Sequence, residues 1–156
     1  MDCFTAVKTL LGTGLGVIAL SSSAFAIPLV DSEIENYVGV GVRSGLNDDT
    51  ALVLDSKFEV IQLDQSSLSI RPALFIGDEF EGRFPLSYDL PFDEQFLFFG
   101  GGGVAYNFDE GDLDPMFTAG LDLGITEQLV LNIEGNLIIK SNDTDAEIAA
   151  SLNWQF

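Results

Sequence analysis

Residues 147–156 read Glu-Ile-Ala-Ala-Ser-Leu-Asn-Trp-Gln-Phe (EIAASLNWQF). Every second residue is apolar: Ile148, Ala150, Leu152, Trp154 and Phe156. Between them stand Glu147, Ala149, Ser151, Asn153 and Gln155. A period of two sends successive side chains to opposite faces of a strand, so one face here is greasy and the other polar. The fold turns on where the greasy face points, into a dry interior or out into lipid.

The pattern recurs along the chain. Eight segments alternate in this way: 37–44, 51–61, 67–76, 83–90, 96–108, 116–125, 129–140 and 147–156. Short polar or acidic breaks such as GLNDDT, GDEFEG, PFDEQ, DEGDLD, TEQ and SNDTD separate them. No stretch sustains helical periodicity, so the chain is read as all-β. A soluble barrel or sandwich turns its apolar residues inward, whereas a membrane barrel turns them outward around a polar interior.

The charges decide between these two. In 67–76 the apolar phase is Leu68, Ile70, Pro72, Leu74 and Ile76; in 129–139 it is Leu129, Leu131, Ile133, Gly135, Leu137 and Ile139. Extending the opposite phase to all strands collects Arg43, Lys57, Arg71, Arg83 and Lys140 on the polar face, with Asp55, Glu59, Asp89, Asp122, Glu134 and Glu147. Such near-neutrality in a chain of net charge −19 is what a narrow, side-chain-filled lumen requires, because an isolated buried charge is costly. These eleven residues are therefore expected to form a lumen ion-pair network.

Aromatics add to this reading. Phe98 and Tyr106 bracket Gly100, Gly102 and Val104, and Phe84 and Phe92 bracket Leu86, Tyr88 and Leu90. Eight residues span about 26 Å along a strand, or roughly 20 Å of depth once tilted, which suits two interfacial girdles. The run Gly100–Gly103 lacks the Lys-Ser/Thr and helix of a phosphate loop and marks a bend, a bulge or close backbone approach.

The N-terminus carries Lys8, an apolar run from Leu10 to Leu20, Ser21–Ser23 and Ala24-Phe25-Ala26. A basic residue, a short apolar region and an A-x-A site make a cleavable secretory signal over 1–26, leaving one domain over 27–156. The 130 remaining residues contain no cysteine and no histidine, which removes disulfides, most nucleophilic triads and ordinary transition-metal sites. They hold 24 acidic against 5 basic residues, a balance that excludes binding to nucleic acid phosphates.

The stretch from Ala119 to Phe156 resembles the closing hairpin of OmpA/OmpX-type small outer-membrane barrels. The shared pattern is Gly120, Asp122, the tight turn Ile125-Thr126-Glu127-Gln128-Leu129, the inward acid Glu134, and a last strand ending Trp154-Gln155-Phe156. The resemblance implies an eight-stranded antiparallel up-and-down transmembrane β-barrel in a Gram-negative-type outer membrane, with both termini in the periplasm. It also implies that Ile148, Leu152, Trp154 and Phe156 act as an assembly signal, read by the barrel-assembly machinery after delivery by periplasmic chaperones. The surface loops are shorter than those of family members that recruit partners.

With that topology the outward loops hold Asp48, Asp49, Asp78, Glu79, Glu81, Asp109, Glu110, Asp112, Asp114, Asp143 and Asp145, and the periplasmic turns only Asp64, Asp93, Glu94 and Glu127. Asp109, Glu110, Asp112 and Asp114 form the best candidate for weak Ca²⁺ or Mg²⁺ binding, although EF-hand spacing is absent. No other cofactor is expected. The membrane-barrel enzyme families that this architecture brings to mind rely on histidine, and a pair such as Asp55 and Glu59 is read as salt-bridging, so no enzyme is expected. The expected role is structural and interfacial, in contact with outer-membrane lipid and without an open pore. The competing readings are a soluble secreted or periplasmic barrel binding a small apolar ligand, and a narrow porin-like channel. Deleting Phe156 is expected to lower the amount of folded protein in the membrane fraction while leaving solubility of the unfolded chain unchanged; undiminished assembly would remove the terminal residue from the signal.

Overall fold

A computed structural model describes residues 34–45 and 50–156, so the expected signal segment and Asp48 and Asp49 lie outside the described residues. Nine strands follow in order: β1 (Tyr37–Gly45), β2 (Ala51–Gln62), β3 (Ser67–Ile70), β4 (Ala73–Ile76), β5 (Phe80–Pro91), β6 (Phe96–Asn107), β7 (Leu113–Thr126), β8 (Leu129–Ile139) and β9 (Thr144–Gln155). The strand pairs are antiparallel, and β1 pairs with both β2 and β9, from Tyr37↔Lys57 on one side and Tyr37↔Gln155 on the other. The sheet therefore closes on itself and leaves no free edge, which satisfies the backbone of a wall that faces an apolar solvent.

Eight expected segments become nine strands because the third is interrupted at Arg71-Pro72. Both β3 and β4 pair with β2 and β5, so together they are one stave of the barrel. Pro72 has no N–H to give the ladder. Its carbonyl instead accepts a hydrogen bond from Ser56 Oγ at 2.6 Å, while the Arg71 N–H reaches Pro85 O at 3.0 Å. Two register shifts, between Glu59 and Ile61 on β2 and between Gly124 and Thr126 on β7, bend the wall near the end that bears the termini.

Three strands begin earlier than the alternation suggested. β5, β7 and β9 start at Phe80, Leu113 and Thr144, so Glu81, Asp114 and Asp145 belong to the wall and not to loops. Pairing partners extend a strand beyond the point where its own sequence stops alternating, and Phe80 shows why: it pairs with Ile76 across a tight hairpin.

Polarity is inverted relative to a soluble domain. Val40, Val42, Leu86, Phe84, Phe117, Ile148 and Leu152 are exposed on the outer wall, whereas Lys57, Arg83, Asp89, Asp122, Asn132 and Asn153 are buried within. The last strand shows it residue by residue, with Ile148, Leu152 and Trp154 exposed and Glu147, Ser151 and Asn153 buried. A soluble barrel that holds an apolar ligand needs the opposite arrangement.

The glycine run on β6 splits by face. Gly101 and Gly103 face inward, where an added Cβ would strike the Leu86 and Phe84 carbonyl oxygens of β5, while at Gly100 the nearest atom would lie 3.9 Å away. Close approach, and not a bulge, explains the inward pair, since pairing runs unbroken along β6. At Gly120 an added Cβ would strike Ile133 O and lie 2.6 Å from Cζ of Phe99, its pairing partner on β6. Gly120→Val is expected to destabilise the folded barrel by about 1–3 kcal/mol through overpacking, as read by urea unfolding in lipid vesicles, whereas Gly100→Ala should leave the midpoint nearly unchanged.

Candidate functional site

Alternation alone sends the odd residues of β1, β2, β5 and β6 and the even residues of β7 and β8 into the lumen. At its centre the guanidinium of Arg71, placed by the Pro72 break, reaches four other staves. Nη2 donates to Asp122 Oδ2 at 2.9 Å and to Asp89 Oδ1 at 3.3 Å, Nη1 to Tyr37 Oη at 2.7 Å, and Nε to Ser87 Oγ at 2.9 Å. Tyr37 Oη in turn donates to Asp122 Oδ1 at 3.0 Å, and Asn132 Nδ2 donates to the same oxygen at 2.8 Å. Asp89 takes further hydrogen bonds from Ser69 at 2.6 Å and Ser87 at 2.7 Å and lies 3.4 Å from Lys57 Nζ, which also donates to Ile34 O. Beneath the hub the Arg71 Cζ stands 3.6 Å from the Phe99 ring centroid, the ring that Gly120 makes room for.

A second layer lies toward the opposite end. Glu147 bridges two arginines, Arg43 at 2.8 Å and Arg83 at 2.6 Å, and Arg83 also pairs with Glu81. Both guanidinium groups sit over the Phe75 ring, at 3.7 Å for Arg83 and 5.6 Å for Arg43. Near the mouth at that end Lys140 pairs with Asp145 at 2.6 Å. Apart from Lys140, which is about a third exposed, these charges are buried, and it is the contact of each with its opposite that makes such burial tolerable.

Of the residues expected in the network, Arg43, Lys57, Arg71, Arg83, Asp89, Asp122, Lys140 and Glu147 make ion pairs. Asp55 and Glu134 face the lumen but are held by neutral groups, Ser151 Oγ at 2.7 Å and Asn136 Nδ2 at 2.8 Å. Glu59 departs from expectation. It lies on the polar face of β2 beside the bulge, where the barrel opens, and its exposed carboxylate lines a cleft of about 330 Å³ with Ile34, Asp64 and Phe92 outside the network. Glu81 and Asp145, read as loop acids, belong inside it.

In the acid-rich turn after β6 the carboxylates of Asp109, Glu110, Asp112 and Asp114 are not gathered into one cluster. Among the described residues no three acidic side chains converge on a point that could hold a metal. Asp109 is turned away to accept the Phe80 N–H at 2.8 Å, and Asn107 Oδ1 caps the turn through the N–H groups of Asp109 and Glu110. Glu110, Asp112 and Asp114 instead spread around a cleft of about 230 Å³ shared with Lys140.

Tyr37, Ser69, Ser87, Asn132, Ser151 and Phe99 were not singled out from sequence. Tyr37 carried a usable signal, since it shares the inward phase of Arg43 with only Gly39 and Gly41 between them.

No protein-family model matches the sequence, and no curated protein matches it. Solved structures do. A de novo designed transmembrane β-barrel superposes with a TM-score of 0.63 at 13% identity, covering 82% of this chain and all of that one. Ail, the attachment invasion locus protein of Yersinia pestis, crystallised with the heparin analogue sucrose octasulfate, gives 0.61 at 10% identity over 80% of this chain and 99% of that one. The N-terminal β-barrel domain of Pseudomonas aeruginosa OprF gives 0.54 at 9% identity over 80% and 98%. The chain therefore has the fold of a transmembrane β-barrel. Removing the hub with Arg71→Met leaves Asp122 without a cation and Asp89 with Lys57 alone, and is expected to cost about 3–5 kcal/mol of unfolding free energy. Adding Asp122→Asn to that variant should recover part of the loss, measured by urea titration of the refolded barrel.

Proposed function

We propose that this chain is an integral outer-membrane β-barrel protein whose role is structural and interfacial: it occupies the bilayer with a closed lumen and displays short acid-rich loops. One observation carries the reading, the inverted polarity of the wall. Exposed Val40, Val42, Phe84, Leu86, Phe117 and Leu152 require an apolar solvent, and an apolar patch of this extent is not compatible with a water-facing monomer. The structural likeness to Ail and OprF supports an outer membrane as the location.

Termini in the periplasm suit the charge distribution. The turns opposite the termini carry Asp78, Glu79, Asp109, Glu110, Asp112 and Asp143, and their carboxylates would meet the divalent cations that lie between anionic lipid headgroups. A polyanion of the kind crystallised with Ail is a poor ligand for so acidic a rim. Barrel-assembly machinery and periplasmic chaperones are the proposed partners, during biogenesis only.

The lumen argues against the channel and the enzyme alike. Arg71 ties residues of five staves together at one level, and eight staves leave an interior that side chains fill. No histidine is present to act as a base, and the inward acids are engaged by cations or hydroxyl and amide donors. The test is electrophoresis of the outer-membrane fraction. A folded barrel resists cold SDS and changes mobility when boiled, and the refolded protein gives no stable single-channel conductance in planar bilayers. Release with the soluble periplasm would overturn the membrane assignment, and steady channels would overturn the closed lumen.

A further inference from the structure

The ion pairs of the lumen balance one another: Arg43, Lys57, Arg71, Arg83 and Lys140 contact Glu81, Asp89, Asp122, Asp145 and Glu147. Three inward carboxylates are left over; Asp114 of β7 lines the mouth cleft with Lys140, and Asp55 on β2 and Glu134 on β8 remain along the lumen. Neither of these last two is in ion-pair contact with a described cation, and the two lie close: Asp55 is held by Ser151 of β9, whose ladder partner Asn132 is two residues from Glu134 on the inward face of β8. The charged and titratable groups facing them are Tyr37 from β1, Arg71 from the β3–β4 stave, Arg83 from β5 and Asp122 from β7. Arg71 is committed to Asp89 and Asp122, and Arg83 to Glu81 and Glu147. On either side, Arg43 is held by Glu147 and Lys57 by Asp89.

Two carboxylates that face one narrow lumen, each with one neutral donor, are costly to keep ionised together, and neutralising one of them relieves the repulsion. A second observation points to the same ligand. The Asn136 amide donates through Nδ2 to Glu134 Oε1, while Asn136 Oδ1 is buried and meets no donor. A carboxylic acid and a carboxamide are complementary at two points, amide N–H to acid oxygen and acid O–H to amide oxygen, and only the protonated acid supplies the second.

We propose that Asp55 and Glu134 form a proton-binding site inside the barrel, with one proton held at neutral pH on Glu134 and shared with Asn136 Oδ1 while Asp55 stays ionised on Ser151. The inference rests on the lumen and not on which membrane surrounds the wall. Infrared spectroscopy of the wild-type barrel refolded in lipid vesicles tests it through the carboxylic C=O stretch. One protonated carboxyl should persist at pH 7, disappear in Glu134→Gln, and survive in the exposed control Glu127→Gln.

Unfolding supplies an independent readout. An unfolded glutamate is ionised above about pH 5. Over the range in which the band persists, the folded state then holds one proton more, and the unfolding equilibrium constant should rise about tenfold per pH unit. It should level off once the band is lost, and Glu134→Gln should remove the slope. Absence of the band at pH 7 would overturn the proposal. So would stability that follows added Na⁺ or Ca²⁺ and not pH, since a metal cation would then be the neutralising charge. If Glu134→Gln fails to fold, the pH profile of the wild-type band decides alone.

Discussion

The constraint from which the rest of this structure follows is that a closed wall of eight staves encloses only enough space for side chains, and that charged side chains are enclosed there together with aromatic and aliphatic ones. Once the outer face is given to Val40, Leu86, Phe117 and Leu152, alternation forces Arg71, Arg83, Asp89 and Asp122 inward. Desolvated charge is tolerated only against its opposite, so the interior has to assemble as contacts between staves. Arg71 meets β1, β5 and β7 through Tyr37, Asp89 and Asp122, and Arg83 and Arg43 meet β9 through Glu147. The same contacts that cancel the charge hold the ring in register and close its bore.

Much of this was legible in the sequence because a period of two is a local property. The face of each strand, the inward set from Arg43 to Glu147 and the outward stripe of residues 148–156 follow from counting. The contacts do not, because partners across a barrel depend on the stagger of the staves. Nothing in the spacing of Arg71 and Asp122, fifty-one residues apart, says that they meet, nor that Glu147 should serve two arginines. Strand ends failed for a related reason. Glu81 and Asp145 look like loop acids by composition, yet hairpin pairing draws them into the wall, where Arg83 and Lys140 wait. Glu59 failed the other way: its phase was right, but it stands at the mouth, where water replaces a partner.

Small residues and proline mark where the local pattern yields to the global one. Pro72 breaks a ladder at the residue after Arg71, and that break stands at the level where the guanidinium spreads among five staves. Gly120 leaves room for the Phe99 ring, whose face meets the Arg71 guanidinium. An arginine, an aromatic ring and a glycine on three different staves thus form one unit. Each looks unremarkable in its own strand.

The resemblance to a designed barrel at 13% identity, alongside natural ones at 9–10%, bears on which of these features the fold needs. Chains this dissimilar in sequence share the barrel fold, which fits the absence of any family-model match. The wall is therefore the generic part of this protein. Within the lumen of this chain, Asp55 and Glu134 meet only neutral donors. Hydrophobic side chains at those two positions would fill the same space without any charge to cancel. Retaining acids where nothing pairs them makes sense physically if the charge is removed by a bound proton, and Asn136, whose amide already donates to Glu134, has a buried oxygen that meets no donor.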